Sequence, residues 1–196
     1  MNQTLTIRLY GDPILRKPAM PVTTFDEHLR ALAEAMQRTM VEANGVGLAA
    51  PQVGVPFRLL LATELHETES DDEPDNAITH VLVNPTISER SGLQHGVDGC
   101  LSVPGIWFED MPRDDRVVVN YQDLQGDPGT LTAEGHFAHV LQHEIDHLNG
   151  VLYFDRLEGD AKKTFLEEHR SELADIQREA KRIVRTVGPT FDAGVR

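Results

Sequence analysis

Residues 137–150 read FAHVLQHEIDHLNG, and the reading of this stretch decides the fold. Phe137, Val140, Leu141, Ile145 and Leu148 recur at helical spacing, and Asn149-Gly150 supplies a stop, because both residues tolerate the left-handed backbone that ends helices. The start is expected near Thr132–Gly135. Apolar residues flank the helix on more than one side, so it is expected to lie against sheets. Within it, His143 and His147 are four apart and stack one turn above the other, where two ring nitrogens can reach one metal ion. Glu144 is rotated roughly 100° from His143 and can reach a water beside that ion without ligating it.

Working outward, Leu29, Leu32, Ala33, Met36, Met40 and Ala43 share one face of an earlier helix. Thr24 and Glu27 suggest its capping box, and Asn44-Gly45 its stop. Strands are expected at 57–63, 78–83, 116–121 and, shorter, 130–133. A single long helix is expected from Asp160 to Val184, with Phe165, Leu166, Leu173, Ile176, Ala180, Ile183 and Val184 on its docking stripe. Strands grouped between helices, rather than alternating with them, indicate an α+β class. The expected architecture is one domain with antiparallel or mixed sheets around a central metal-binding helix. A catalytic part spans 1–158, and a C-terminal helix and tail, 159–196, dock on it.

The bulk composition narrows the function. The 196 residues carry a net charge of -14, which disfavours specific DNA binding, since that needs clustered Lys and Arg. No apolar run is long enough to span a bilayer, and the N-terminal run has no basic region leading into an apolar one, so neither membrane insertion nor secretion is expected. One cysteine, Cys100, excludes an internal disulfide and favours a reducing cytoplasm. Glu64 to Asp75 (ELHETESDDEPD) reads as a solvated acidic loop. Arg178, Lys181, Arg182 and Arg185 make the last helix mildly basic, a candidate for a weak contact with the ribosome.

The third metal ligand sets the reaction class. Catalytic sites of this kind use three protein ligands and leave a position open. Val151, Leu152 and Tyr153 after Gly150 exclude the third histidine of one protease class. A second class, a zinc endoprotease, would use a downstream carboxylate, for which Glu167 and Glu168 are placed, although they sit among Lys162, Lys163 and Arg170 as surface glutamates do. Cys100 is the better candidate, because Asp98-Gly99-Cys100-Leu101-Ser102-Val103-Pro104-Gly105 holds it on an irregular, glycine- and proline-fixed path. A further segment, 45–54 (GVGLAAPQVG), is dense in small residues and permits close backbone approach; it reads as a helix stop, a loop and the entry to a strand.

GVGLAAPQVG, DGCLSVPG and QHEIDHLNG, in this order, resemble the three signature segments of the peptide deformylase family, bacterial type, and residues 7–22 (IRLYGDPILRKPAMPV) resemble its opening. The resemblance covers roughly residues 5–158. It implies an α+β fold, removal of the formyl group from the N-terminal formyl-methionine of new polypeptides, and release of formate. It also implies metal ligation by Cys100, His143 and His147, with Glu144 as general base and then acid. Gln52 and the backbone N–H of Leu101 would stabilise the oxyanion. The backbones of Val46, Gly47 and Gly99 would pair with the substrate as an added strand. One divalent ion is implied, Fe2+ in the cell, with Zn2+, Ni2+ or Co2+ in purified protein. The sequence departs from the family at Asp98, where glutamate is usual. His136 and His139 share the stripe of His143 and His147, and with Val140 and Val46 they are expected beside the pocket for the methionine side chain.

Overall fold

Leu59, Leu60, Leu61 and Ala62 form an unbroken apolar run. In the computed structural model of the protein, which describes residues 4–65, 77–188 and 194, all four are buried. They lie in strand β2 (Leu59–Glu64), between β1 (Gly47–Ala49) and β3 (Ile78–Ser91). With β6 (Arg116–Gln122) and β7 (Pro128–Glu134), these strands make a five-stranded antiparallel sheet in the order β1-β2-β3-β6-β7. Side chains alternate across a strand, so Leu60 and Ala62 join one apolar cluster and Leu59 and Leu61 another. The first cluster is built on helix α2 (Gly135–Leu148) and the second on helix α1 (Glu27–Glu42). Helices on both faces explain why the run does not alternate polar with apolar.

A second sheet is the hairpin of β4 (Gln94–Cys100) and β5 (Val103–Arg113). Its inner residues Val103, Ile106 and Met111 form a third cluster with Leu152, Tyr153 and Phe154 and with Phe165, Leu173 and Ile176 of the C-terminal helices. The sequence reading does not foresee this hairpin. Its first strand, QHGVDGC, is polar and glycine-rich, and register shifts at Gly96/Asp98 and Gly99/Cys100 remove the alternation by which a strand is read.

Other boundaries also differ from the sequence reading. The cap of α1 is Asp26, whose carboxylate accepts from the N–H groups of His28 and Leu29 at 3.0 and 3.2 Å, rather than Thr24. β3 does not stop before Asn84-Pro85. Asn84 takes φ 52° at a bulge, its side chain ties Val22 N and O at 2.8 and 2.9 Å, and the strand resumes. Segment 45–54 is not a plain loop, since Gly47–Ala49 pair with β2 and Ala50–Val53 form a 3-10 turn. The long C-terminal helix is two, α3 (Gly159–Glu168) and α4 (Arg170–Val187), broken at His169 (φ -100°, ψ 16°), whose ring packs on Phe165 at 4.8 Å. Most of the acidic loop at 64–75 lies outside the described residues. No helix among the described residues is long and apolar enough to cross a membrane.

Candidate active site

Helix α2 is buried from Phe137 to Leu148, and its polar residues therefore need partners or a function. It ends where expected. Asn149 caps it, and Gly150 takes φ 74° against the backbone of Arg16, where a Cβ would come within 2.8 Å of a carbonyl carbon. This stop fixes how His143 and His147 face the β4–β5 turn.

Three donor atoms converge there. Cys100 Sγ lies 3.2 Å from His147 Nε2, which lies 3.2 Å from His143 Nε2, and the three ligand atoms fall within 4.8 Å of one another. Two nitrogens bound tetrahedrally at zinc-like distances would stand about 3.3 Å apart, close to what is found. The hydrogen bonds fix which ring nitrogens face the cluster. His143 Nδ1 donates to Asp98 Oδ1 at 2.6 Å, so in the neutral ring it is Nε2 that carries the lone pair. Burial, and then His143 beside it, push the His147 pKa well below the usual imidazole value, favouring the neutral form a ligand must have. For His143, burial acts in the same direction, but the Asp98 carboxylate outweighs it and raises the pKa. His147 Nδ1 is buried without a protein partner. The Cys100 sulfur also accepts from Ser102 N–H at 3.4 Å and from Gln52 Nε2 at 3.6 Å.

Glu144 Oε2 is buried without a partner, and burial raises its pKa from 4.5 to about 7. Its carboxylate packs against β1 so closely that a Cβ on Gly47 would stand 2.3 Å from Oε1. Only glycine leaves that carboxylate where it is. Gln52 is held in one orientation, because its Oε1 accepts from Ala49 N–H at 2.7 Å, which turns Nε2 towards Cys100 and Ser102. Leu101 occupies the turn between β4 and β5.

These groups open on a cavity of about 530 Å³. It is lined by every site residue expected from the sequence except His147, which completes the donor set. Val46 and His136 stand at its exposed margin, whereas His139 and Val140 are buried in its wall. Glu167 and Glu168 are exposed on α3 and outside the donor cluster, so the carboxylate-liganded alternative has no structural basis. Sequence reading misses Trp107 and Val97, which line the cavity from the hairpin it does not foresee. It also misses Arg113. This buried guanidinium donates from Nη2 and Nε to Asp98 Oδ2 at 2.7 and 3.2 Å, and from Nη1 to Asp146 Oδ2 at 2.6 Å. Asp146 in turn is paired with Arg156. Burial alone would raise the Asp98 pKa, but His143, His139 and Arg113 hold it well below the usual carboxylate range. The polar central positions of the helix are the one signal that such a network exists.

The profile of the polypeptide deformylase family matches residues 4–163. The chain belongs to that family. A peptide deformylase of Thermus thermophilus is 46% identical over 185 residues, 91% of this chain and 95% of the relative. A crystal structure of peptide deformylase from Thermus thermophilus superposes with a TM-score of 0.80 at 47% identity, covering 90% of this chain and 99% of that one. A class I type b peptide deformylase from Acinetobacter baumannii, solved with Met-Ala-Ser bound, gives 0.71 at 39% identity over 80% of this chain and 100% of that one. Peptide deformylases are metal-dependent hydrolases that remove the N-formyl group from new polypeptides. This chain is such an enzyme, and its Cys/His/His cluster is a site able to bind the metal.

Proposed function

We propose that the chain performs this hydrolysis on N-formyl-methionyl peptides with Cys100, His143 and His147 as ligands of one divalent ion and Glu144 as general base. The observation that carries the reading is the Cys100 sulfur at 3.2 Å from His147 Nε2, which joins the hairpin turn to the two helix histidines. When bound, the ion supplies Lewis acidity and lowers the pKa of water to near neutrality. Glu144, buried beside the cluster, takes a proton from the attacking water and returns it to the departing amine, so that formate and a free N-terminus leave. The Gln52 Nε2–H2 group and the Leu101 N–H receive the charge developing on the formyl oxygen. Gln52 suits this task because its own oxygen is already committed to Ala49.

The substrate backbone pairs with Val46 and Gly47 on one side and Gly99 on the other, at the edges of the two sheets. The methionine side chain enters the cavity between Val140, His136 and His139. That the Acinetobacter relative binds Met-Ala-Ser supports a short peptide as the ligand. Fe2+ is the ion proposed in the cell, with Zn2+, Ni2+ or Co2+ as replacements, since a thiolate and two imidazoles suit all of them. The cytoplasm is the proposed location. On α4, Arg178 pairs with Asp175 and Arg182 with Glu179, which leaves the exposed Lys181 and Arg185 as the groups proposed for a weak ribosome contact. Salt-dependent co-sedimentation with ribosomes tests it. The function itself is tested by formate release from formyl-Met-Ala-Ser by anaerobically purified protein. Activity should be lost with chelator and restored by Fe2+ or Ni2+, and chelator-resistant turnover would overturn the reading.

A further inference from the structure

Three side chains converge on the Asp98 carboxylate. His143 donates to Oδ1 at 2.6 Å and Arg113 to Oδ2 at 2.7 Å. The third is His139, whose Nε2 lies 3.1 Å from Oδ2, close but off the line of a good hydrogen bond. The residue is 6% exposed, and its ring is wedged against β4, where a Cβ on Gly96 would stand 3.4 Å from Nδ1. His139 also lines the substrate cavity, a role that leaves its contact with Asp98 unexplained.

We infer that His139 is a positioning residue for His143, acting through Asp98, so that one wall of the substrate cavity is also the outer support of a metal ligand. The inference rests on the assignment of Cys100, His143 and His147 as ligands. An aspartate carboxylate can rotate about its last bond, and its Oδ1 meets His143 Nδ1 only while its plane is held. Arg113 holds Oδ2 from β5, and it is shared with Asp146 on α2. His139 closes the remaining side from α2 itself, one helical turn before His143. Without an imidazole there, the carboxylate is restrained from the arginine side alone and the His143 ring gains freedom. Loss of such support for a ligating histidine typically weakens metal binding by about 10–100-fold.

The geometry also couples positions 98 and 139. With the imidazole at 3.1 Å from Oδ2, the extra methylene of a glutamate at 98 has no room without displacing its partners. A leucine at 139 fills a similar volume but has no polar atom facing Oδ2, and its flexible branched end can turn away from position 98, so the longer carboxylate can keep both Arg113 and His143.

The test compares the full-length parent with His139→Leu, His139→Gln, Asp98→Glu and the double variant Asp98→Glu/His139→Leu. Each is stripped of metal and titrated with Co2+. The readouts are the dissociation constant from chelator competition and the visible Co2+ spectrum, with circular dichroism reporting the fold. His139→Leu should bind about tenfold more weakly and show altered bands. His139→Gln, which keeps a donor, should stay much closer to the parent than the ~10-fold loss expected of the leucine variant. Asp98→Glu alone should weaken binding, and the double variant should recover it. Parent affinity and spectrum in His139→Leu, or a double variant whose loss is the product of the single losses, overturn the inference. If His139→Leu does not fold, His139→Gln decides: tenfold weaker binding in that folded variant also overturns it. A His147→Ala variant that binds Co2+ as the parent does would instead overturn the ligand assignment on which the inference rests.

Discussion

Helices α2 and α4 meet opposite demands. In α2 every residue from Phe137 to Leu148 is buried, although six of those twelve are His, Glu, Gln or Asp, whereas α4 buries only Leu173, Ile176 and Ala180 of its 18 residues. Burying a charge or a lone polar group without a partner costs several kcal/mol, so α2 is tolerable only because Asp98, Arg113 and their neighbours satisfy most of its polar atoms. Those left without a hydrogen-bond partner are Glu144 Oε2 and His147 Nδ1, in the groups proposed as acid–base and ligand, and His139 Nε2, in the group proposed to support Asp98. In α4 the polar residues face water and the apolar stripe alone docks. The comparison teaches that the central helix is built for chemistry at the expense of stability, whereas the buried stripe of the terminal one serves stability and leaves its outer face free.

The sharpest way to break the comparison is Glu144→Gln. It should cut turnover on formyl-Met-Ala-Ser at least ~10²-fold while metal content, measured by elemental analysis, is unchanged. The same substitution should show the cost of the buried carboxyl. Glu144 titrates near 4.5 when unfolded and at about 7 in the metal-free fold, so the folded state holds the extra proton between those values. The parent therefore loses stability relative to the glutamine variant as pH rises through that window, and denaturant melts of both metal-free proteins at pH 4.5 and 7 should show the gap widening. A constant gap would remove Glu144 from the list of strained groups.

Next in size is Arg113→Ala, which removes the buried cation shared by Asp98 and Asp146, leaves Asp98 to its two histidines and Asp146 to Arg156, and should cost about 3–5 kcal/mol in chemical denaturation. Leu173→Ala in α4 should cost about 2–3 kcal/mol, with turnover per folded molecule unchanged. A fall in turnover there would blur the division between the helices. Arg182→Ala removes an exposed pair with Glu179 and should shift stability by no more than about 0.5 kcal/mol in the same melts.

The sequence makes legible what repeats locally. The period of Leu29, Leu32, Ala33 and Met36 identifies α1, and that of Val140, Leu141, Ile145 and Leu148, with two histidines one turn apart, identifies α2 and its chemistry. The β4–β5 hairpin is illegible because bulges and glycines erase its alternation. β3 is cut short in the reading because Asn84-Pro85 looks like a turn, when a side chain reaching Val22, far away in sequence, makes it a bulge. No proline or glycine marks the break at His169. The Asp98–Arg113–Asp146 network joins residues 15 and 33 positions apart, and ion pairs at such separations leave no local pattern. In the sequence Asp98 stands out only as a departure at one position, and what it supports is visible only in three dimensions.

Strand β2 contributes Leu59 and Leu61 to the cluster under α1, and Leu60 and Ala62 to the cluster under α2. A strand shared in this way forbids either half from melting while the other stays ordered, because opening one face withdraws the wall of the other. The amide protons of Leu60 and Leu61 should then be among the slowest to exchange with deuterium, released only by global unfolding. The cooperative unit that protects them includes both the helix that carries the two proposed histidine ligands and the helix that lines no part of the cavity.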